Sequence, residues 1–195
     1  YRLKGIGVNK EVRSPYNLRK EKPGYYAVCA VDEKGVESDL SNPVLYTFYE
    51  RRYEAEDFAK SSFIEAKSKG YSGSGYVKDC SAAPANLSIE IEVPETGDYM
   101  IRFTGSNGNG PHDTFCTIRS LSLDGKDYAT VILEAYGDWS EWTHTNHILL
   151  RNLSAGKHTV SLTVNPEQRG FDNNMSFNKE NLNDWFIDYL TVIRF

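Results

Sequence analysis

The stretch Asn86–Val93, "NLSIEIEV", decides the fold class because apolar and charged side chains alternate along it. A period of two places alternate side chains on opposite faces of a β-strand, so one face can be buried while the other meets water. The pattern therefore predicts a half-buried strand. The residues expected on its buried face are Ile89, Ile91 and Val93.

Similar short strands, separated by turn residues, follow along the chain, and no convincing long amphipathic helix pattern is present. They are "GDYMIRFTG" from Gly97, "FCTIRSLSLDG" from Phe115, "ATVILEAY" from Ala129, "HILLRNL" from His147, "KHTVSLTV" from Lys157 and "WFIDYLTVIRF" from Trp185. Seven or more alternating strands predict an all-β protein folded as a β-sandwich.

Composition narrows the functional classes. The 195 residues are 39% hydrophobic and 13% aromatic, which supplies ample core material. The net charge of −5 is spread without long runs, which argues against nucleic acid because phosphate binding needs clustered cations. No apolar run approaches the ~20 residues that span a bilayer, so membrane insertion is not expected. No signal peptide appears and no Met begins the chain, so we expect a processed chain or a piece of a longer one.

Residues 1–48 are expected to form a separate segment. Within it, "GYYAVCAVDEKGVESDLSNPV", Gly24 to Val44, predicts a hairpin that turns at "DEKG". The hairpin resembles the last two strands of a fibronectin type III domain, although the segment has about half of the ~100 residues such a sandwich requires. The charged "YERRYEAE" marks the transition to a second unit at 49–195.

Three cysteines, Cys29, Cys80 and Cys116, show no C-x-x-C spacing, so a zinc knuckle or a thioredoxin-type site is not expected. A pair such as Cys80 with Cys116 and buried free thiols both remain open.

The order of features after residue 50 is similar to that of the carbohydrate-binding modules of families 6 and 35. The features are "YEAEDF", "GYSGSGYV", "VPETGDYMIRF", "GDWSEWT", "LSAGKHTVSLTV" and "FIDYLTV". The resemblance implies a calcium-containing jelly-roll β-sandwich of the galactose-binding-like type. It also implies attachment to a polysaccharide-degrading enzyme that is secreted, periplasmic or on the cell surface, in a bacterium.

The "YEAEDF" stretch places Glu54 and Glu56 two residues apart, where neighbouring carboxylates on one strand face would repel. Solvent on an exposed edge could offset this repulsion. The family resemblance implies instead a structural Ca²⁺ held by Glu54, Glu56 and Asp188, with backbone carbonyls from Lys69–Gly73. Calcium is a hard cation that takes six to eight oxygen ligands, which such groups supply.

The resemblance also implies a sugar site at a loop end, where an aromatic ring stacks on the apolar face of a pyranose. Trp139 matches a family platform tryptophan, with core packing as the alternative, and Tyr76 matches a second aromatic. Trp142 is expected in the core. The final loop, longer than the family pattern, adds Asn181, Asn183, Asp184 and Trp185. The loop Gly105–Asp113 could add polar groups or could be a plain glycine-rich turn; these groups are Asn107, Asn109, His112 and Asp113.

No pattern indicates catalysis. His144, His147 and His158 lie in or beside predicted strands, and none has a Ser, Cys or Asp at a motif spacing. We therefore expect a non-catalytic module that tethers the catalytic domain of its parent chain to a polysaccharide or oligosaccharide. The alternatives are a structural accessory domain without a working sugar site and, less favoured, a small lyase or hydrolase.

Overall fold

The computed structural model describes residues 1–5, 7–16, 24–46, 49–110, 115–164 and 183–194. The chain divides into two compact units, Tyr1–Glu50 with Ile193–Phe195, and Arg51–Val192. The described part of the chain contains no helix that is long and apolar enough to cross a membrane.

The N-terminal unit contains one four-stranded antiparallel sheet. Its strands, in the order β2-β1-β3-β4, are β1 (Arg2–Gly5), β2 (Val8–Glu11), β3 (Gly24–Cys29) and β4 (Val44–Tyr46). Leu3, Val12 and Tyr26 are buried together on it. This cluster of described side chains is small for an independent sheet, because small sheets need a hydrophobic face covered by another layer.

The expected turn at "DEKG" is present. The carboxylate of Asp32 accepts the backbone N–H groups of Lys34 and Val36 at 2.9 and 2.8 Å. The returning strand, however, does not follow directly. A single bridge joins Val31 to Glu37, and β4 pairs with β3 only from Val44 onward. The pairing of β1 with β2 was not predicted.

The larger unit contains two antiparallel sheets. The strands are β5 (Tyr49–Glu54), β6 (Ile64–Glu65), β7 (Tyr76–Asp79), β8 (Ser88–Val93), β9 (Gly97–Ser106), β10 (Cys116–Leu123), β11 (Lys126–Glu134), β12 (Thr143–His144), β13 (Ile148–Leu153), β14 (Gly156–Thr163) and β15 (Trp185–Arg194). One sheet has the order β11-β10-β14-β8. The other has the order β12-β9-β15-β7-β6, with β13 paired to β9 and β5 paired to β15. Two short 3₁₀ segments, Ala55–Asp57 and Ser61–Phe63, follow β5.

The alternation in β8 is confirmed: its apolar side chains are buried and its glutamates are exposed. Residues of β9 on the other sheet, Tyr99, Ile101 and Phe103, are fully buried as well. The sheets also touch through Tyr53, whose hydroxyl accepts the backbone N–H of Glu92 at 2.9 Å. These contacts confirm the all-β jelly-roll sandwich.

A charged network lies between the sheets. Arg119 of β10 is fully buried, and its Nε donates to Asp79 of β7 at 2.7 Å. The same carboxylate accepts the indole N–H of Trp185 at 2.8 Å and the backbone N–H of Ala85 at 2.7 Å. A buried ion pair is tolerated only when its remaining polar atoms are also hydrogen-bonded. These bonds meet that condition and join β10 of one sheet to β7 of the other.

Candidate functional site

Two carboxylates from distant strands meet on one serine. Asp188 of β15 accepts the backbone N–H of Ser72 at 2.9 and 3.1 Å, and its Oδ1 lies 2.9 Å from the Ser72 hydroxyl. Oε2 of Glu54, the last residue of β5, lies 2.8 Å from the same hydroxyl. A hydroxyl carries one proton, so it can donate to only one of these two carboxylates at a time.

Glu56 joins the same loop from the other side. Its Oε1 accepts the backbone N–H groups of Ser74 and Gly75 at 2.8 and 3.2 Å. Its Oε2 is buried with no hydrogen-bond partner among the described residues. Gly73 has a φ of +64°, and a Cβ there would clash with Oε1 of Glu56, so only glycine fits this turn.

The local structure differs from the expected strand geometry. β5 ends at Glu54, and Glu56 lies in the 3₁₀ segment Ala55–Asp57. The two carboxylates are therefore not neighbours on one strand face. The 3₁₀ turn instead directs both of them to the loop Ser72–Gly75.

The electrostatic balance of this acidic cluster is unfavourable. Burial raises the pKa of Glu54, and the nearby charges of Asp188 and Glu56 raise it further. Burial also raises the pKa of Asp188, and Glu56 adds to the effect. Arg52 offsets part of this charge, because its Nε lies 3.0 Å from Oε1 of Glu54. The cluster thus has an excess of negative charge and an orphaned carboxylate oxygen, which a cation would satisfy.

The cluster fits a hard cation by its chemistry, since all its donors are oxygens. As the side chains stand, however, the described residues contain no group of three His, Cys, Asp or Glu side chains placed to hold a metal ion. The carboxylates hydrogen-bond to the loop instead.

Trp139 lies in the segment between β11 and β12 and is half-buried. Its ring packs on Phe186 of β15, with centroids 4.5 Å apart and an interplanar angle of 39°. A Cβ at Gly108 would lie 2.7 Å from the indole, so a glycine is required beneath the ring. Among the described residues, part of the indole surface stays accessible to solvent.

Tyr76 does not lie at the surface. It is 1% exposed, and its ring packs against Phe186 at 4.6 Å and Trp142 at 5.5 Å. Its hydroxyl accepts the backbone N–H of Ser68 at 3.3 Å. The structure corrects the expectation of a second platform here, because the surrounding aromatic rings leave almost none of this side chain exposed.

Trp142 is half-buried rather than fully in the core. Its indole N–H donates to the carbonyl of Lys69 at 2.7 Å, and its ring contacts Tyr71 at 6.3 Å. These residues form a group that we call the aromatic cluster, comprising Tyr71, Tyr76, Trp139, Trp142 and Phe186. Phe186 was not singled out in the sequence, although it alternates with buried neighbours in "WFIDYL".

The final loop is described only from residue 183 onward, so Asn181 lies outside the described residues. Asn183 is buried, and its Oδ1 accepts the backbone N–H of Ile118 at 2.8 Å, while its Nδ2 has no partner among the described residues. Asp184 is half-buried and accepts the N–H of Ser81 at 2.7 Å. Trp185 is 1% exposed and bonded to Asp79, so the structure places it in the core and not on a sugar-binding surface.

The glycine-rich loop after β9 is bonded to this final loop. Asn109 donates through Nδ2 to the backbone carbonyl of Asp184 at 2.7 Å, and Asn107 donates to the carbonyl of Leu133 at 2.9 Å. Both amides are buried, so they shape the loop. His112 and Asp113 lie outside the described residues.

A Ser-His-Asp group that the sequence did not reveal lies between two turns. His158 Nδ1 is 2.7 Å from Asp124, and its Nε2 is 2.8 Å from the carbonyl oxygen and 3.4 Å from the hydroxyl of Ser154. Both ring nitrogens thus face acceptors, which favours a doubly protonated imidazole. Such a ring cannot accept the serine proton, so this geometry does not activate a nucleophile.

Similarity to a known protein family identifies this sandwich. A model of the family described as carbohydrate binding module (family 6) matches residues 54–183, which is more than half of the chain. The chain belongs to this family. The expectation drawn from the order of motifs is therefore confirmed.

Two curated relatives share sequence similarity with this chain. Two cycloisomaltooligosaccharide glucanotransferases of Niallia circulans are 32% identical to the chain over 119 and 111 residues. These matches cover 60% and 56% of the chain but only 12% and 11% of the enzymes. The module therefore corresponds to a small part of each relative.

Among solved structures, a Paenibacillus sp. cycloisomaltooligosaccharide glucanotransferase complexed with cycloisomaltoheptaose is similar, with a TM-score of 0.56 and 26% identity. The match covers 72% of this chain and 18% of that one. A family 35 carbohydrate binding module from Clostridium thermocellum matches with a TM-score of 0.53 and 22% identity, over 75% of this chain and 99% of that one. The latter likeness concerns the fold alone.

Proposed function

We propose that this chain is a non-catalytic carbohydrate-binding module that works as an accessory part of a larger carbohydrate-active enzyme. The observation that carries the proposal is the family 6 match from residue 54, at the end of β5, to residue 183, just before β15. The small share of the glucanotransferases that the chain matches supports an accessory role beside a catalytic domain. Tethering that domain to a glycan raises its effective concentration at the substrate.

Trp139 is the sugar-contacting group in this proposal. It is half-buried, and both Phe186 and Gly108 lie against its ring. A rigidly held indole can stack on the apolar face of a pyranose without losing much side-chain freedom on binding. Polar contacts would come from the neighbouring final loop, through Asp184 and Asn181. Asn183 supports that loop from within, since its Oδ1 is bonded to Ile118.

The first ligands to test are isomalto-oligosaccharides. The relatives are named for cycloisomaltooligosaccharides, and the similar Paenibacillus structure was complexed with cycloisomaltoheptaose. A bacterial origin and a location outside the cytoplasm, where polymeric glycans are met, belong to the same proposal.

Calcium binding at the acidic cluster is also part of the proposal. Glu54, Glu56 and Asp188 would hold the ion, helped by backbone carbonyls of the loop that follows Lys69. The buried, unpartnered Oε2 of Glu56 and the raised pKa values of Glu54 and Asp188 support it. A divalent cation would neutralise this charge and join β5, the loop and β15.

A structural domain without a working sugar site is the second candidate. The burial of Tyr76 and Trp185 favours it, because these two rings contribute no surface to a ligand. If the chain does bind sugar, Trp139 carries the stacking alone among the aromatics that the sequence analysis selected.

A glycan array that includes isomalto-oligosaccharides separates the two candidates. The proposed function predicts saturable binding of the whole chain to at least one glycan class. A parallel assay should show no new reducing ends after incubation with the bound glycan. Absence of binding across the array favours the structural domain, and new reducing ends would show a catalytic activity.

A further inference from the structure

Three basic side chains meet on the side of β9 that faces away from the core. Arg102 alternates with Ile101 and Phe103, which are fully buried, so it projects from the opposite face of the sheet. β12 and β13 both pair with β9. His144 of β12 lies opposite Thr104, and Ile148 of β13 lies opposite Ile101, so Arg102 falls between the two paired stretches. We call this group the β9 basic patch; it comprises Arg102, His144 and His147.

Direct contacts connect the patch. Nη1 of Arg102 is 3.4 Å from Nε2 of His147, and Nδ1 of His144 is 2.9 Å from the hydroxyl of Thr104. Thr104 follows Arg102 by two residues, so both side chains lie on the same face of β9. The three basic groups therefore share one surface.

The patch has no acidic partner in the described part of the chain. Two other arginines of the larger unit do pair with carboxylates: Arg151 binds Asp98 at 2.8 Å, and Arg119 binds Asp79 at 2.7 Å. Among the residues that the structure describes, Arg102 makes no such ion pair, and its buried Nε has no hydrogen-bond partner. A guanidinium has five donors in a planar fork that matches carboxylate and sulfate oxygens. An unsatisfied buried donor of this kind is costly, and an anion would satisfy it.

The surroundings of His144 are consistent with this positive character. Burial lowers the pKa of His144, and the charges of Arg102 and His147 lower it further. Among the described residues, no carboxylate acts against this lowering. A pair of imidazoles beside a guanidinium is also a poor site for a metal cation, because the fixed positive charge of Arg102 would repel it.

The patch adjoins the aromatic cluster. Trp142 of this cluster precedes His144 by two residues, immediately before β12. Trp142 in turn packs on Tyr76, which contacts Phe186 beneath Trp139. A glycan lying along this face would meet an apolar ring surface at one end and the basic patch at the other.

We propose that Arg102, His144 and His147 form a subsite for an anionic substituent of a glycan, either a carboxylate or a sulfate ester. This subsite deepens the proposed function and rests on it in one respect, that the chain binds a glycan on this side of the sandwich. It predicts a preference for acidic over neutral sugars that Trp139 alone cannot supply.

The test follows the imidazole resonances of the whole chain by NMR at pH 6 and fixed ionic strength. The probes are sodium glucuronate, glucose 6-sulfate and glucose, which differ at carbon 6. We expect at least one of the two anionic sugars to shift the His144 and His147 resonances until they reach saturation, while glucose leaves these resonances unchanged. The two anionic arms identify whether the carboxylate or the sulfate is preferred.

Arg102→Gln should weaken this response at least tenfold. Arg151→Gln, on the neighbouring strand but paired with Asp98, is the matched control and should bind within twofold of wild type. His147→Gln, an exposed position, is a second variant that keeps the test valid should Arg102→Gln fold poorly, and it should also weaken binding.

Equal responses to glucose and glucuronate, no imidazole response to either anionic sugar, or equal binding by the Arg102 and Arg151 variants would each overturn the subsite. The indole resonance of Trp139, followed with isomaltose in the same samples, keeps the two proposals distinguishable. If the indole responds while the imidazoles do not, the proposed function stands and the anionic subsite is wrong.

Discussion

Ser72 donates its backbone N–H to the carboxylate of Asp188 at 2.9 Å, although 116 residues separate them in the chain. The bond fastens the loop before β7 to the middle of the last strand. Glu54 reaches the same serine from β5, so three distant segments meet at one hydroxyl. Burial raises the pKa values of both carboxylates, and the charge of Glu56 raises both further, so a cation bound at this junction would relieve an unfavourable concentration of negative charge.

Calcium removal should therefore lower the melting temperature. A ligand at 100 times its Kd stabilises the folded state by about 2.7 kcal/mol. For a domain of this size, that corresponds to roughly 5 to 10 °C. Differential scanning calorimetry with calcium and with EDTA measures the difference, and metal analysis by mass spectrometry should find one ion per chain. Unchanged melting and no bound metal would show that the acidic cluster does not bind calcium.

The stability of Asp188→Asn relative to wild type should differ between calcium and EDTA. In calcium the variant should melt below wild type, because it loses one ligand charge. In EDTA it should melt at or above wild type, because the amide keeps an acceptor for Ser72 and removes one of the repelling charges. Asp98→Asn, which removes a carboxylate paired with Arg151 and leaves the acidic cluster intact, is the control and should keep the wild-type difference in melting between calcium and EDTA. A variant that is less stable than wild type by the same amount in both buffers argues against the metal.

Gly73→Ala should destabilise the loop more than an ordinary glycine replacement does. Its φ of +64° disfavours alanine, and the new Cβ would also clash with Oε1 of Glu56. Gly125→Ala is a matched control, since Gly125 has a φ of +75° and nothing within 4 Å of the added Cβ. We expect about 1 kcal/mol for the control and clearly more for Gly73→Ala in urea unfolding. Equal losses would show that the carboxylate moves aside freely.

The His158–Asp124 pair should make stability depend on pH. Burial acts to lower the pKa of His158, but hydrogen bonds to Asp124 and to the Ser154 carbonyl outweigh it and raise the pKa. A raised histidine pKa stabilises the fold fully below the unfolded value of about 6.5, and this stabilisation is lost as the pH rises through the folded pKa.

Burial acts to raise the pKa of Asp124, yet its bonds to His158 and to the Thr159 N–H leave it lowered. Its contribution is therefore present above about pH 4 and is lost in more acidic solution. Melting temperatures should peak between these limits and fall by a few degrees above pH 7. His158→Gln should flatten the decrease above pH 7, whereas His147→Gln should leave it unchanged. An identical pH profile in His158→Gln would show that the pair does not contribute.

The sequence predicted the sandwich well because alternation is a local property of a strand. Ile89, Ile91 and Val93 are buried whatever the distant partner is, provided that one face of β8 meets a core. The position of Glu56 was harder to predict, because the sequence "YEAEDF" contains no strong signal for the 3₁₀ turn that follows β5.

The exposure of the aromatics could not be read locally. Tyr76 stands after a glycine-rich loop, which favours an exposed position, yet Phe186 and Trp142 cover it from segments far along the chain. The same holds for Trp185, whose burial depends on Asp79 and Arg119 from other strands. Whether a ring in such a fold is covered or open is a property of packing between distant residues.

Arg119→Met should test how far the buried ion pair holds the sheets together. Removing one partner leaves Asp79 as an unpaired buried charge, at a cost of about 3 to 5 kcal/mol. Arg151→Met, at an exposed pair, should cost less than about 1 kcal/mol. Urea unfolding of both variants gives the comparison, and similar small losses would mean that water reaches Asp79.

The role of Trp139 is tested most directly by isothermal titration calorimetry of wild type and Trp139→Ala with an isomalto-oligosaccharide or, if the array selects another, the glycan bound best. Stacking on an aromatic ring contributes on the order of 1 to 3 kcal/mol, so the variant should bind about tenfold more weakly or worse while circular dichroism shows a folded sandwich. Tyr25→Ala removes a ring that is 60% exposed in the N-terminal unit and should bind like wild type. A folded Trp139→Ala variant that binds as tightly as wild type would contradict the account.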